Sequence, residues 1–162
     1  MKKFWFKRKS NVHGRGLFAT QNIKKGSQII EYVGDKVTKR EGDRRADKQI
    51  NKAKKNKNNG MVYVFELNKR YDIDGDVSHN HARLINHSCN PNCEVVIDNN
   101  RLWISAIKNI KKNHELSYNY GYSYDTDYDE HKCKCGSSKC VGYILDEDHW
   151  PKLKKAKKKK SN

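Results

Sequence analysis

NHSCNPNC, residues 86–93, places two cysteines, a histidine, a proline and three asparagines in eight positions, directly after ARLI (82–85). A segment that only has to turn is built from Gly, Asn, Asp or Pro and has no need of Cys or His. Three uses account for this composition: a metal site, a thiol-chemistry site, or a backbone clamp around a ligand. The choice depends on the partners that the rest of the chain supplies.

The clearest partners lie in CKCGSSKC (133–140), where Cys133, Cys135 and Cys140 follow a C-x-C-x4-C pattern. Three thiolates this close can share one Zn²⁺. A structural zinc takes four ligands, and Cys89 or Cys93 is the donor available elsewhere. Five cysteines is an odd number, and in a chain with no secretory signal the pattern reads as metal before disulfide. A redox dithiol is disfavoured because no C-x-x-C occurs. A metal joining residue 89 to the C-terminal segment would pin that segment over the 86–93 loop.

Length and charge bound the remainder. A chain of 162 residues holds one sizeable core but not two, and 35% apolar against 33% charged residues makes that core economical. Lys and Arg outnumber Asp and Glu by 35 to 19, for a formal charge of +16, which points to an anionic partner, nucleic acid first. Seven of the lysines sit in KLKKAKKKK (152–160), readable as a solvated extension or as a polyanion-binding or targeting tail. No apolar run approaches the roughly 20 residues a membrane span requires. The opening MKKFWFKRK has an apolar run of only three, too short for a signal peptide. The expectation is an intracellular protein with no membrane segment.

Short strand-like runs separated by turns predict a mostly β domain. Gly14–Ala19, QIIEYV (28–33), MVYVFEL (61–67) and YDID (71–74) are strand candidates. EVVID (94–98) and RLWISAI (101–107) read as a hairpin across Asn99-Asn100. HELSYNY (114–120) is a further extended stretch. The charged, Asn/Lys-rich residues 36–60 are expected either as one solvated helix around Lys39–Lys55, ended by Asn and Gly60, or as a mobile insert.

Two motif matches fail on context. GRGLFA (14–19) has the glycine pattern of a dinucleotide loop, but basic residues precede it and Gly26 truncates any following helix. What survives is a glycine turn whose bare backbone can approach a ligand. DIDGD (72–76) suggests a calcium loop, but its glycine falls at position 4 instead of 6 and its twelfth position is Arg83 instead of Glu. Of nine tyrosines, Tyr118, Tyr120, Tyr122 and Tyr124 alternate in YNYGYSY, so on a strand they would share one face. Such a face is either a packed aromatic edge or the wall of a channel for a cationic or aliphatic side chain.

Taken together and in order, these segments resemble the SET-domain protein lysine methyltransferases, over roughly residues 10–145. SNVHGRGLFA is similar to the family's N-terminal cofactor loop. IIEYVGD is similar to its EYxGE strand with Asp35 for Glu, and ARLINHSCNPN to ARFINHSCxPN with Leu84 for Phe. ELSYNYGY is similar to ELTYDYG, and CKCGSSKC to the post-SET zinc motif. The resemblance implies a SET fold of several short sheets with a pseudoknot, one helical insert and a C-terminal zinc segment. It implies a SET domain over residues 1–124 (insert 36–60), a post-SET segment over 125–148 and a basic tail over 149–162.

The resemblance also assigns the 86–93 segment. Asn86 and His87 would hold S-adenosylmethionine, with Cys89 as fourth zinc ligand beside Cys133, Cys135 and Cys140, and Cys93 left over and buried. His87 would be a structural and cofactor residue, not an acid–base catalyst. His13, Arg15, Gly16 and Leu17 would line the methionine end of the cofactor. Tyr63 would contact both cofactor and substrate lysine channel, Arg83 would support the knot beside the cofactor, and residues 141–145 would cover the adenine. Tyr120 matches the catalytic tyrosine. Tyr118 sits at the position of a Phe/Tyr switch, implying mono- or dimethylation.

The implied activity is methylation of lysine on a histone or histone-like basic protein, in a nucleus or in the cell's own nucleoid or cytoplasm. DTDYDE (125–130) is the dense acidic stretch suited to docking a basic peptide, and the basic insert and tail suit nucleic acid. The alternative is an inactive SET-like module that binds nucleic acid or basic protein tails. The intact Tyr120, Asn86, His87 and cysteine quartet weigh against it. Asn113-His114, in place of the Gly-Glu usual before Glu-Leu, reads as a turn variant.

Overall fold

The computed structural model describes residues 3–55, 62–153 and 155. In chain order its elements are β1 (Trp5–Lys9), β2 (Arg15–Ala19), β3 (Gln28–Tyr32), β4 (Asp35–Thr38), α1 (Lys39–Lys55), β5 (Val64–Glu66) and β6 (Tyr71–Asp74). A 3-10 turn (His81–Leu84) precedes β7 (Asn86–His87), β8 (Cys93–Asp98), β9 (Arg101–Ala106) and β10 (Ser117–Tyr118). The mostly β expectation holds. Two compact units result: the described parts of Met1–Ser27, Ile85–Glu94 and Ala106–Asn162, and the described parts of Gln28–Leu84 with Val95–Ser105.

The first unit is built on an antiparallel pair, β1 with β2, and a parallel pair, β10 with β7. Leu17, Phe18 and Ala19 are all buried, alongside Trp5, Ile85, Leu116 and Leu145. β1 is a strand the sequence reading did not anticipate. Its outward residues are Lys and Arg, suited to an exposed edge, and only Trp5 is buried. Asn92 laces the loop after β7 to β10 and to the chain just before it. Asn92 donates from its side chain to Glu115 O (2.8 Å), accepts from Ser117 N (2.9 Å), and its backbone N–H reaches Ser117 O (3.2 Å).

The tyrosine run departs from expectation. β10 ends at Tyr118, and residues 119–125 are not in a strand. Gly121 turns the chain at φ +68°, with its N–H taken by the Asn119 side chain at 3.0 Å, a local turn that competes with extension. The rings still meet in succession: Tyr118 to Tyr120 at 5.0 Å and Tyr120 to Tyr122 at 6.0 Å between centroids. Asn113, at φ +68°, forms the expected turn, closed by His114 N to Lys111 O at 3.1 Å. Leu153 is buried, and residues 156–162 of the tail lie outside the described residues.

The second unit contains two three-stranded sheets, in the orders β3-β9-β8 and β4-β6-β5, with α1 against β6. Asn99 and Asn100, at φ 49° and 57°, supply the two left-handed residues of the predicted hairpin. α1 begins at Lys39 because Thr38 caps it, accepting from Glu41 N at 3.4 Å in a T-x-x-E arrangement. The helix spans the predicted Lys39–Lys55, and its predicted stop at Gly60 lies outside the described residues. It is not solvated all round, contrary to the sequence reading. Gly42 approaches β6 so closely that a Cβ would collide with the Asp72 carboxylate. Lys39 pairs with Asp72 at 2.6 Å and Arg45 with Asp74 at 3.0 Å, both aspartates being buried.

Candidate active site and metal centre

In the first unit the predicted residues assemble around β7 and β10. Parallel pairing sets Asn86 beside Ser117 and His87 beside Tyr118. Asn86 is buried, and three oxygens converge on its Nδ2: Glu115 Oε1 at 2.8 Å, His13 O at 3.3 Å and Arg15 O at 3.4 Å. This corner is rich in oxygen and therefore electronegative. Gly16 makes it possible, since a Cβ there would collide with Glu115 Oε1. Leu17 is fully buried, its carbonyl accepting from Leu116 N at 2.8 Å, so it supports the corner from below. The side chains of His13 and Arg15 are exposed.

His87 is held as a neutral ring. Its Nδ1 accepts from Tyr120 N at 3.1 Å, so the ring proton resides on Nε2, 3.5 Å from Cys89 Sγ. Burial depresses its pKa to about 4. So engaged, the ring holds the backbone at Tyr120 in place. Tyr120 is fastened at both ends, since its hydroxyl also donates to Ile85 O at 3.0 Å. That bond commits the phenol hydrogen, so toward a further donor the oxygen can act only as an acceptor. Tyr118 is buried next to it.

The cysteines resolve the ambiguity between residues 89 and 93. The Sγ atoms of Cys89, Cys133, Cys135 and Cys140 lie within 4.8 Å of one another. Cys89 to Cys133 is 3.7 Å and Cys89 to Cys140 is 4.0 Å. Zn–S bonds of about 2.3 Å in a tetrahedron require S···S edges of about 3.8 Å, so the quartet fits zinc. Burial, then neighbouring thiolates, pushes the Cys89 thiol up to about 11 and the Cys133 thiol well above its ordinary value. A dication relieves that crowding. Cys93 stands apart, buried among other groups, its thiol pushed up to about 12 by burial and donating to Asn92 Oδ1 at 3.3 Å.

Residues 131–145 fold back on the quartet: Cys133 N reaches Gly142 O (3.0 Å), Ile144 N reaches His131 O (2.8 Å), and Leu145 is fully buried.

Tyr63 and Arg83 belong to the second unit, where they meet each other. The Arg83 guanidinium lies 5.7 Å from the Tyr63 ring centroid and pairs with Asp76 at 2.8 Å. Burial raises the Tyr63 pKa, keeping its phenol protonated. Sequence reading missed Glu115 and Asn92 as organisers of the first-unit site. The signal was present, since Glu115 opens the quoted ELSYNYGY and Asn92 closes ARLINHSCNPN.

Residues 14–121 match the SET domain family, and the chain belongs to it. It is 36% identical over 141 residues to "Histone-lysine N-methyltransferase, H3 lysine-4 specific" of Aspergillus oryzae, covering 84% of this chain and 11% of that protein. It is 36% identical over 148 residues to "Histone-lysine N-methyltransferase trr" of Drosophila melanogaster, covering 86% and 6%. It is 32% identical over 141 residues to "Histone-lysine N-methyltransferase trithorax" of Drosophila virilis, covering 84% and 3%. The chain thus spans about a tenth or less of the length of these relatives.

Proposed function

We propose that this SET-domain chain is an S-adenosylmethionine-dependent protein lysine N-methyltransferase acting on a histone or histone-like basic protein. The observation that carries this reading is the fastening of Tyr120, hydroxyl on Ile85 O and backbone N–H on His87 Nδ1, beside the Asn86–Glu115 corner. The names of the relatives support the substrate class, and histone H3 is the first substrate to try. A binding module would have no use for a tyrosine so constrained.

S-adenosylmethionine supplies an electrophilic methyl on a sulfonium. The oxygens of His13, Arg15 and Glu115 suit its ammonium and sulfonium charges, and the exposed Arg15 side chain suits its carboxylate. Transfer to an amine is an in-line displacement, so positioning does most of the work. The lysine must first lose a proton, which from pKa ~10.4 at about pH 8 costs roughly 3 kcal/mol. Aromatic surroundings lower that cost by disfavouring the ammonium. Tyr120 accepts from the neutral amine and aligns it, and Tyr63 and Arg83 serve the substrate lysine and the cofactor. Zinc, held by the four cysteines, is structural.

Tyr118 limits the product to mono- or dimethyl-lysine, because a hydroxyl there retains a water in the space a further methyl needs. Tyr118→Phe is expected to shift the product toward trimethyl-lysine, read by intact mass spectrometry of the substrate over a time course. Rapid trimethylation by the wild type, or an unchanged product spectrum in the variant, refutes the assignment.

Charge divides substrate binding between two surfaces. Asp125, Asp127 and Asp129 dock the basic peptide, and the outer face of α1, carrying the exposed Arg40, Arg44, Lys48, Lys52 and Lys55, contacts nucleic acid around a DNA-bound substrate. Neutralising the three aspartates to Asn should raise peptide KM about three- to ten-fold at low salt with kcat little changed, the effect fading at high salt. Lys48→Glu with Lys52→Glu should raise KM for nucleosomes and leave peptide KM as it was. Steady-state kinetics on both substrates separates the surfaces, and equal effects on both would dismiss the division.

A further inference from the structure

Helix α1 does more than decorate the second unit. Gln49, off the cationic stripe and toward β6, uses both ends of its amide. Its Oε1 accepts from Tyr63 N at 2.8 Å and its Nε2 donates to Asp74 Oδ1 at 3.0 Å. Asp74 is buried, also holds Arg45 at 3.0 Å, and its Oδ1 takes the Asp76 N–H at 3.1 Å. The Tyr63 carbonyl is held in turn by Gly75 N at 2.8 Å and by the Tyr32 hydroxyl at 3.0 Å. Tyr63 therefore sits just before β5 with its backbone pinned from both sides, and the N–H side is pinned by the insert helix.

We propose that Gln49 is a positioning residue for Tyr63, and that α1 sets the aim of the tyrosine through the Asp74–Gln49–Tyr63 relay. The inference rests on the reading that Tyr63 serves the methyl-transfer reaction. A helix needing only anchorage already has it, from Lys39 on Asp72 and Arg45 on Asp74 and Asp35. Gln49 adds little to anchorage, but it satisfies the one backbone donor that presents Tyr63. An amide is the side chain that suits both contacts, since one end must accept from an N–H and the other must donate to a carboxylate.

The test compares Gln49→Met, which keeps length and loses both bonds, with Gln49→Glu, which keeps an acceptor for Tyr63 N. Both are made in the full chain beside Tyr63→Ala. Amide hydrogen exchange at Tyr63 and steady-state kinetics on a histone substrate are measured at matched folded fraction. Gln49→Met should speed Tyr63 exchange and lower kcat about ten-fold, with KM for S-adenosylmethionine changed far less, and Gln49→Glu should recover only part of the loss, because its second oxygen meets the buried Asp74 carboxylate where the amide donated. If Tyr63→Ala is impaired while Gln49→Met matches wild type in exchange and kinetics, the relay is refuted. It is equally refuted if the Gln49→Met loss only tracks its melting temperature. If Tyr63→Ala itself is fully active, the reading of Tyr63 fails, and the relay with it.

Discussion

Tyr120→Phe is expected to lower kcat for lysine methylation by about 10²–10³-fold while S-adenosylmethionine affinity stays nearly constant. The substitution removes one oxygen and leaves the ring, so its packing against Tyr118 and His87 survives. What goes is a hydroxyl whose hydrogen is committed to Ile85 O. With that hydrogen fixed, the oxygen would serve as an acceptor at a set position, holding an amine N–H so that the nitrogen lone pair is left for the transfer line. Such preorganised dipoles act on the transition state more than on bound reactants, so the loss falls on kcat.

Stability changes for a separate reason. Ile85 is fully buried, and its carbonyl loses a donor, a cost of about 1–3 kcal/mol. Thermal melts taken beside the kinetics keep the two effects apart. Labelled S-adenosylmethionine supplied with nucleosomes, free histones and a lysate of basic proteins gives the readout. A variant as active as wild type removes Tyr120 from the mechanism. Failure of the wild type to bind the cofactor at all returns the chain to the binding-module reading.

Legibility in the sequence followed how locally each feature is encoded. The Asn99-Asn100 hairpin, YDID as β6 and the Lys39–Lys55 helix all carry their signals within a few residues: left-handed asparagines, alternation, and a Thr38–Glu41 cap. The cysteine quartet was legible because thiols are costly to leave unexplained, and geometry then chose Cys89 over Cys93. The tyrosine run misled because period-2 spacing is only permissive. Asn119 and Gly121 form a local turn that ends the strand at Tyr118. The inner face of α1 was illegible for the opposite reason. Arg45 and Gln49 look solvated until Asp74 and Tyr63, distant in sequence, arrive beneath them. The convergence of His13, Arg15 and Glu115 on Asn86 spans over seventy residues and needed coordinates.

Loss of zinc should disable the first unit through that same loop. Elemental analysis of purified protein is expected to give one zinc per chain, retained by Cys93→Ala and lost by Cys89→Ser and Cys133→Ser. Structural zinc contributes apparent binding energies of about 10–16 kcal/mol in small domains, far above what the backbone bonds of residues 131–145 supply unaided. Cys89 is three residues from Asn86 and its sulfur lies 3.5 Å from His87 Nε2, so freeing it loosens the ring that holds Tyr120 N. The expected result is a drop of about 10–100-fold in S-adenosylmethionine affinity on strong chelation, restored by added Zn²⁺. The measurement is calorimetric titration of cofactor before and after metal removal. Cys93→Ala, which leaves a small cavity in the core, should lower the melting temperature without touching metal content. Full cofactor affinity in metal-free, folded protein would break the link between the quartet and the site, and reduce the zinc to a clasp for the C-terminal segment alone.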